Sequence, residues 1–88
     1  MAALAPGFIL YTTPFCPGRF RAKVILQRFG IPYVERDVTV DLDAYDDLLR
    51  LTRGQPHVPT LQMPSGELLV EPAPLALLGR LVDLAEGN

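Results

Sequence analysis

Proline and glycine punctuate this sequence so often that every element in it must be short. Nine prolines and seven glycines fall within 88 residues, and a proline inside a helix or a central strand removes a backbone donor. Pro6-Gly7 and Pro14 bound Phe8-Ile9-Leu10-Tyr11-Thr12, a β-branched and aromatic run that predicts a short buried strand. Pro17 suits the first position of a helix. Ala22, Ile25, Leu26 and Phe29 follow at helical spacing, with Arg19, Lys23 and Gln27 on another face, until Gly30 and Pro32 end the helix. Pro32 to Val38, with Tyr33, Val34 and Val38, reads as a second strand. Asp41 or Asp43 can cap a second helix in which Ala44, Leu48 and Leu51 recur at helical spacing. Acids crowd its start and Arg50 and Arg53 its end, the order that complements a helix dipole; Gly54 terminates it. Val58 to Met63 reads as a third strand, Pro64-Ser65-Gly66 as a turn, and Glu67 to Val70 as an antiparallel fourth. Pro72 and Pro74 bracket the start of a last helix. Leu75, Leu78 and Val82 lie there at helical spacing, and Leu77, Leu81 and Leu84 widen the apolar face.

The order β-α-β-α-β-β-α predicts an α/β architecture. A parallel crossover joins the first two strands and a hairpin follows, giving a four-stranded mixed sheet with helices on both faces. The length fits one domain over residues 1–88. Hydrophobic residues make up 49% and charged residues 20% of the chain, a mix that packs rather than staying disordered. Ten acids against eight bases give a net charge of −2, which opposes general nucleic-acid binding. No basic-then-apolar leader is read, and no run approaches the roughly 20 apolar residues of a membrane span. A cytoplasmic, reducing setting and a monomer are expected.

Cys16 is the one cysteine, and His57 the one histidine. An internal disulfide framework and an all-cysteine zinc site are therefore excluded, and no metal-ligand set is predicted. Cys16 falls between the first predicted strand and the helix that Pro17 opens. A helix start offers free N–H groups and about half a positive charge, which favour a thiolate, the nucleophilic form. Arg19, Arg21 and Lys23 follow closely, Arg19 on the same side, and no acid occurs between Met1 and Ile31 to oppose them. The alternative is a small buried hydrophobe, a common state of free cysteine. Pro59 is the second informative residue. A Val58-Pro59 step ahead of a strand is a candidate cis peptide, with an ordinary trans proline as the alternative.

Tyr11-Thr12-Thr13-Pro14-Phe15-Cys16-Pro17, followed by Arg21-Ala22-Lys23, resembles the active-site segment of glutaredoxins. Asp37-Val38-Thr39, Thr52-Arg53-Gly54-Gln55-Pro56 and Val58-Pro59-Thr60-Leu61 continue the likeness in order, from about Phe8 to about Leu84. The resemblance implies the thioredoxin-like fold, a nucleophilic Cys16 and a cis Pro59. Two departures stand out. The usual C-P-x-C is Cys16-Pro17-Gly18-Arg19 here, with Arg19 in place of the resolving cysteine. The Gly-Gly usual after the fourth strand, with an Asp soon after to hold the γ-glutamyl end of glutathione, is Leu69-Val70-Glu71-Pro72-Ala73 here. From Val58 to Pro72 the chain is also similar to mycoredoxins, relatives that serve mycothiol, and to the thioredoxin-fold half of glutathione transferases.

This likeness implies a thiol–disulfide oxidoreductase that works through a single cysteine, because release by a second protein thiol is not open to Arg19. Its partners are a small thiol (glutathione, mycothiol or similar) and proteins carrying mixed disulfides, with no tightly bound cofactor. Val58, ahead of Pro59, is expected to pair through its backbone with the cysteinyl part of the thiol. Arg19 or Arg53 can meet a carboxylate, and Glu71 an amine. Thr13, Phe15 and Gln55 are expected to line the groove, Tyr11 is a further candidate wall, and His57 reads as a loop residue. A second reading is a [2Fe-2S]-binding monothiol glutaredoxin, which the missing C-G-F-S disfavours. A third is a redox-inactive adaptor.

Overall fold

Side-chain alternation along the first strand decides the layering. In this computed structural model, which describes residues 7–14 and 16–85, β1 spans Phe8–Thr12. Phe8 and Leu10 face one side of the sheet, where α1 (Pro17–Arg28) and α3 (Pro74–Ala85) pack; Ile9 and Tyr11 face the other, where α2 (Leu42–Leu51) packs. Successive strand residues point to opposite faces, so one five-residue strand serves two cores. Leu10, Ala22, Leu26, Leu61, Leu77 and Leu81 form the first core, and Tyr11, Ala44 and Leu48 the second.

The other strands are β2 (Tyr33–Asp37), β3 (Thr60–Gln62) and β4 (Leu68–Val70), in the sheet order β2-β1-β3-β4. β2 runs parallel to β1, β3 antiparallel to β1, and β4 antiparallel to β3. This is the mixed four-stranded sheet with helices on both faces of the thioredoxin-like fold. β2, β3 and β4 are each shorter than the sequence predicts. β3 loses Val58 and Pro59 because pairing with β4 and β1 begins at Thr60.

Helix ends explain the connections. α1 closes in a Schellman turn: Gly30 adopts φ +66°, its N–H donates to Gln27 O at 3.0 Å, and Ile31 N–H donates to Leu26 O at 2.9 Å. Ile31 then packs beside Leu26 in the core. Phe29, expected on the apolar face, is the residue beyond the helix and is exposed. Asp41 caps α2, accepting from Ala44 N–H at 3.1 Å. The same closing turn ends α2, but the left-handed position is taken by Arg53 (φ +57°), with Gly54 donating to Leu49 O at 2.7 Å. In α3 the buried residues are Leu77 and Leu81, whereas Leu75 is 82% exposed and Val82 38%. The predicted stripe of Leu75, Leu78 and Val82 is thus displaced, because a helix apolar on most sides leaves periodicity without a unique phase.

Candidate active site

Cys16 is the N-cap of α1, held in extended conformation, and Pro17 takes the first helical position. Its backbone is fixed from both sides: Cys16 N–H donates to Thr13 O at 3.3 Å, and Arg19 N–H donates to Cys16 O at 3.1 Å. The Sγ makes no capping hydrogen bond. A serine or aspartate there would bond the helix's free N–H groups; the half-buried thiol leaves its sulfur uncommitted. Proline has no N–H, and the Arg19 N–H is used by the Cys16 carbonyl.

Gly18 explains how the sulfur meets the other half of the site. A Cβ at Gly18 would lie 3.1 Å from Pro59 Cδ, 3.2 Å from Pro59 Cγ and 3.9 Å from Cys16 Sγ. Only a residue without a side chain lets α1 approach the Pro59 ring this closely. The Val58–Pro59 peptide is cis, the isomer that the resemblance implies, and Pro59 is buried. Glu71 N–H donates to Pro59 O at 2.8 Å, and Thr60 Oγ1 donates to His57 O at 2.7 Å, so the turn is tied on both sides. Val58 packs its side chain toward the α2 core, and among the described residues its own N–H and C=O make no backbone hydrogen bond. An extended ligand beside Cys16 can use both groups.

The charged residues are arranged differently from the sequence expectation. The stretch free of acids up to Ile31 left α1's cations apparently unopposed, yet Glu35 of β2 reaches them. Arg19 Nε donates to Glu35 Oε2 at 2.7 Å, Lys23 Nζ lies 3.0 Å from Oε1, and buried Thr12 donates to Oε2 at 2.9 Å. Burial pushes the Glu35 carboxyl up, but the hydrogen bonds from Lys23, Thr12 and Arg19 outweigh it and hold the group below the ordinary carboxylate range. Arg19 also donates to Pro14 O at 3.4 Å and stacks 5.3 Å from the Phe20 ring centroid. It is committed to the protein rather than presented to a ligand carboxylate. Glu71 is likewise engaged: its Oε2 lies 2.9 Å from His57 Nδ1 across the Pro59 turn. The backbone at Glu71 is left-handed, with φ +46°.

Cys16, Gly18 and Pro59 thus converge, with Val58 and Glu71 attached to the same turn. Pro17 is exposed beside Cys16, and Thr13 is half-buried and contributes its carbonyl. Gln55 and Arg53 are exposed in the connection after α2. Phe15 lies outside the described residues. Tyr11 is buried in the α2 core, with Arg36 5.7 Å from its ring centroid, and so does not wall the site. Sequence reasoning missed Glu35. The available signal was an acid two positions from Tyr33 on the strand that pairs with β1, hence on the α1 side of the sheet. A cavity of about 680 Å³ lies at the other end of β1, between Phe8, Met63 and Leu81, and Cys16 is not among the residues that line it. Among the described residues no three His, Cys, Asp or Glu side chains gather as a metal site, and no helix is long and apolar enough to cross a membrane.

Comparison with known proteins places this geometry. The thioredoxin-like protein BC3987 superposes with a TM-score of 0.70 at 27% identity, covering 88% of this chain and 97% of that one. Glutaredoxin 2 from Salmonella typhimurium, solved in complex with glutathione, superposes with a TM-score of 0.64 at 25% identity, covering 94% of this chain but 35% of its own. Glutaredoxin from Brucella melitensis, at 24% identity and a TM-score of 0.59, covers 94% of this chain and 83% of its own and shares the fold. A search of the curated proteins finds no match. The glutaredoxin family profile matches residues 8–67, which span β1 through the β3–β4 turn and include Cys16, Glu35 and Pro59. On that match and on the cysteine at the N-cap facing a cis proline, the chain belongs to the glutaredoxin family, and its chemistry is of the thiol-oxidoreductase kind.

Proposed function

We propose that this protein reduces mixed disulfides between proteins and a small thiol by a monothiol route through Cys16. The observation that carries the reading is an uncapped Cys16 sulfur beside Gly18 and Pro59, with Arg19 where a second thiol would stand and tethered to Glu35. The Cys16 thiolate attacks the small thiol's sulfur in the mixed disulfide. A bond forms between Cys16 and the small thiol, and the substrate protein leaves as its thiolate. A second small-thiol anion then attacks the same small-thiol sulfur. It releases the symmetric small disulfide and restores Cys16. The protein sulfur is reduced, two small thiols are oxidised, and the enzyme returns unchanged.

Val58's free backbone groups suit the cysteinyl portion of the small thiol. Pro17 and Gly18 shape the entrance with Thr13. Glutathione is the first thiol to test, since it is the ligand in the Salmonella glutaredoxin 2 complex. On this reading the small thiol is a co-substrate, no cofactor is held, and the protein acts as a monomer in a reducing, cytoplasmic setting. The test is turnover of a glutathionylated peptide with glutathione, then with other small thiols. Cys16→Ser is expected to abolish turnover. Arg19→Cys is expected to add reduction of ordinary protein disulfides and to form a disulfide with Cys16. A wild type that forms no mixed disulfide with any small thiol overturns the proposal and leaves the redox-inactive adaptor.

A further inference from the structure

Glu35 pairs with the cations of the helix that Cys16 caps, and so offsets charge on that helix. Both of its oxygens are occupied by cations of α1, Arg19 at 2.7 Å and Lys23 at 3.0 Å. Arg19 also reaches the carbonyl of Pro14, two residues before Cys16, so its guanidinium lies at the active-site loop. Thr12, buried at the end of β1, holds Oε2 in place. With Glu35 ionised, the formal charge of Glu35, Arg19 and Lys23 together is +1; without it, the same cluster carries +2. On the far side of Pro59, Glu71 and His57 face each other at 2.9 Å. Arg21 is exposed and makes no ion pair among the described residues. Among the described residues, Glu35 is the carboxylate that offsets the Arg19 and Lys23 cations.

We propose that Glu35 is a specificity-determining residue of the Cys16 site. By drawing the Arg19 and Lys23 cations onto its own oxygens, it restrains the site's preference for anionic over neutral thiols and disulfides. The proposal deepens the monothiol reading and rests on it for its consequence in exchange, but the charge assignment is tested separately.

Two reagent pairs read the charge at the sulfur. In alkylation, the Cys16 thiolate displaces iodide from neutral iodoacetamide or anionic iodoacetate, forming a thioether. In exchange, it attacks neutral bis(2-hydroxyethyl) disulfide or the dianion dithiodiglycolate, forming a mixed disulfide and expelling one thiolate. The quantity followed is the anionic-to-neutral rate ratio, which a general loosening of the fold leaves unchanged. Glu35→Gln is expected to raise this ratio about threefold or more over the wild type, as one added unit of charge at short range does. Glu35→Asp keeps the charge and is expected to hold the wild-type ratio. Arg19→Met, with cluster charge 0, is expected to lower it, and the Arg19→Met/Glu35→Gln pair to return it to the wild-type value. An unchanged ratio in Glu35→Gln overturns the proposal, as does a Glu35→Asp ratio that matches Glu35→Gln. Should Glu35→Gln fail to fold, an Arg19→Met ratio no lower than the wild type overturns it instead. If the alkylation order holds while no disulfide exchanges, the charge assignment stands and the monothiol reading falls.

Discussion

Gly18 is the residue on which the site's geometry depends most directly. An added Cβ would press on the Pro59 ring at 3.1 and 3.2 Å, tighter than ordinary contact, so one of the two segments must shift. Gly18→Ala regains some helix propensity and is expected to leave the midpoint of urea unfolding nearly unchanged while slowing mixed-disulfide formation at Cys16. Gly18→Val exceeds the space and is expected to cost about 1–3 kcal/mol by the same measurement. Arg53 presents the opposite case. A side chain occupies a left-handed position (φ +57°) that costs an L-residue about 1–2 kcal/mol. Glycine adopts it freely but loses more backbone entropy on folding. Arg53→Gly is therefore expected to stabilise the protein by about 0.5–1 kcal/mol, read as a higher unfolding midpoint.

Among the elements, β2 shows what a pattern of apolar residues conceals. It is an edge strand, and its central pair carries opposite charges to opposite faces. Glu35 reaches Arg19 and Lys23 of α1, while Arg36 reaches Asp47 of α2 at 2.6 Å. Charge on an edge also discourages pairing with another chain. Helix α3 shows the converse. Its apolar residues encircle most of the axis, and only the packing of Leu77 and Leu81 against the α1 side of the sheet reveals the buried line. Leu75→Gln is accordingly expected to change stability by no more than about 0.5 kcal/mol. Leu77→Ala is expected to cost about 2–5 kcal/mol by the same denaturation measurement. The order of elements was readable because proline and glycine mark nearly every boundary. The phase of α3 was not, because periodicity needs a polar side to point away from the core.

At the scale of the whole molecule, the site is assembled from segments far apart in sequence: the β1–α1 junction, the Val58–Pro59 turn, Glu71 and, behind them, Glu35. Local motifs made Cys16, Gly18 and Pro59 legible. The partners of Arg19 and Glu71 were not, because they arise from strand register and loop closure, which no local spacing encodes. The ion pairs also set the acid response. Glu35 is held below its ordinary range by its hydrogen bonds, and Asp47 by those from Arg36 and then Arg50. A carboxyl depressed in the folded state contributes stability above its unfolded value and loses it as pH falls through the folded value. Thermal unfolding is thus expected to be flat near neutrality and to fall below about pH 4.5, the ordinary Glu value. Glu35→Gln is expected to shallow that fall. The bond from the Glu71 amide to the Pro59 carbonyl has a further use. It couples one backbone proton just beyond β4 to the turn that faces the cysteine. Slow deuterium uptake at that amide, and its acceleration when the turn opens, would report on the state of the site without touching the sulfur.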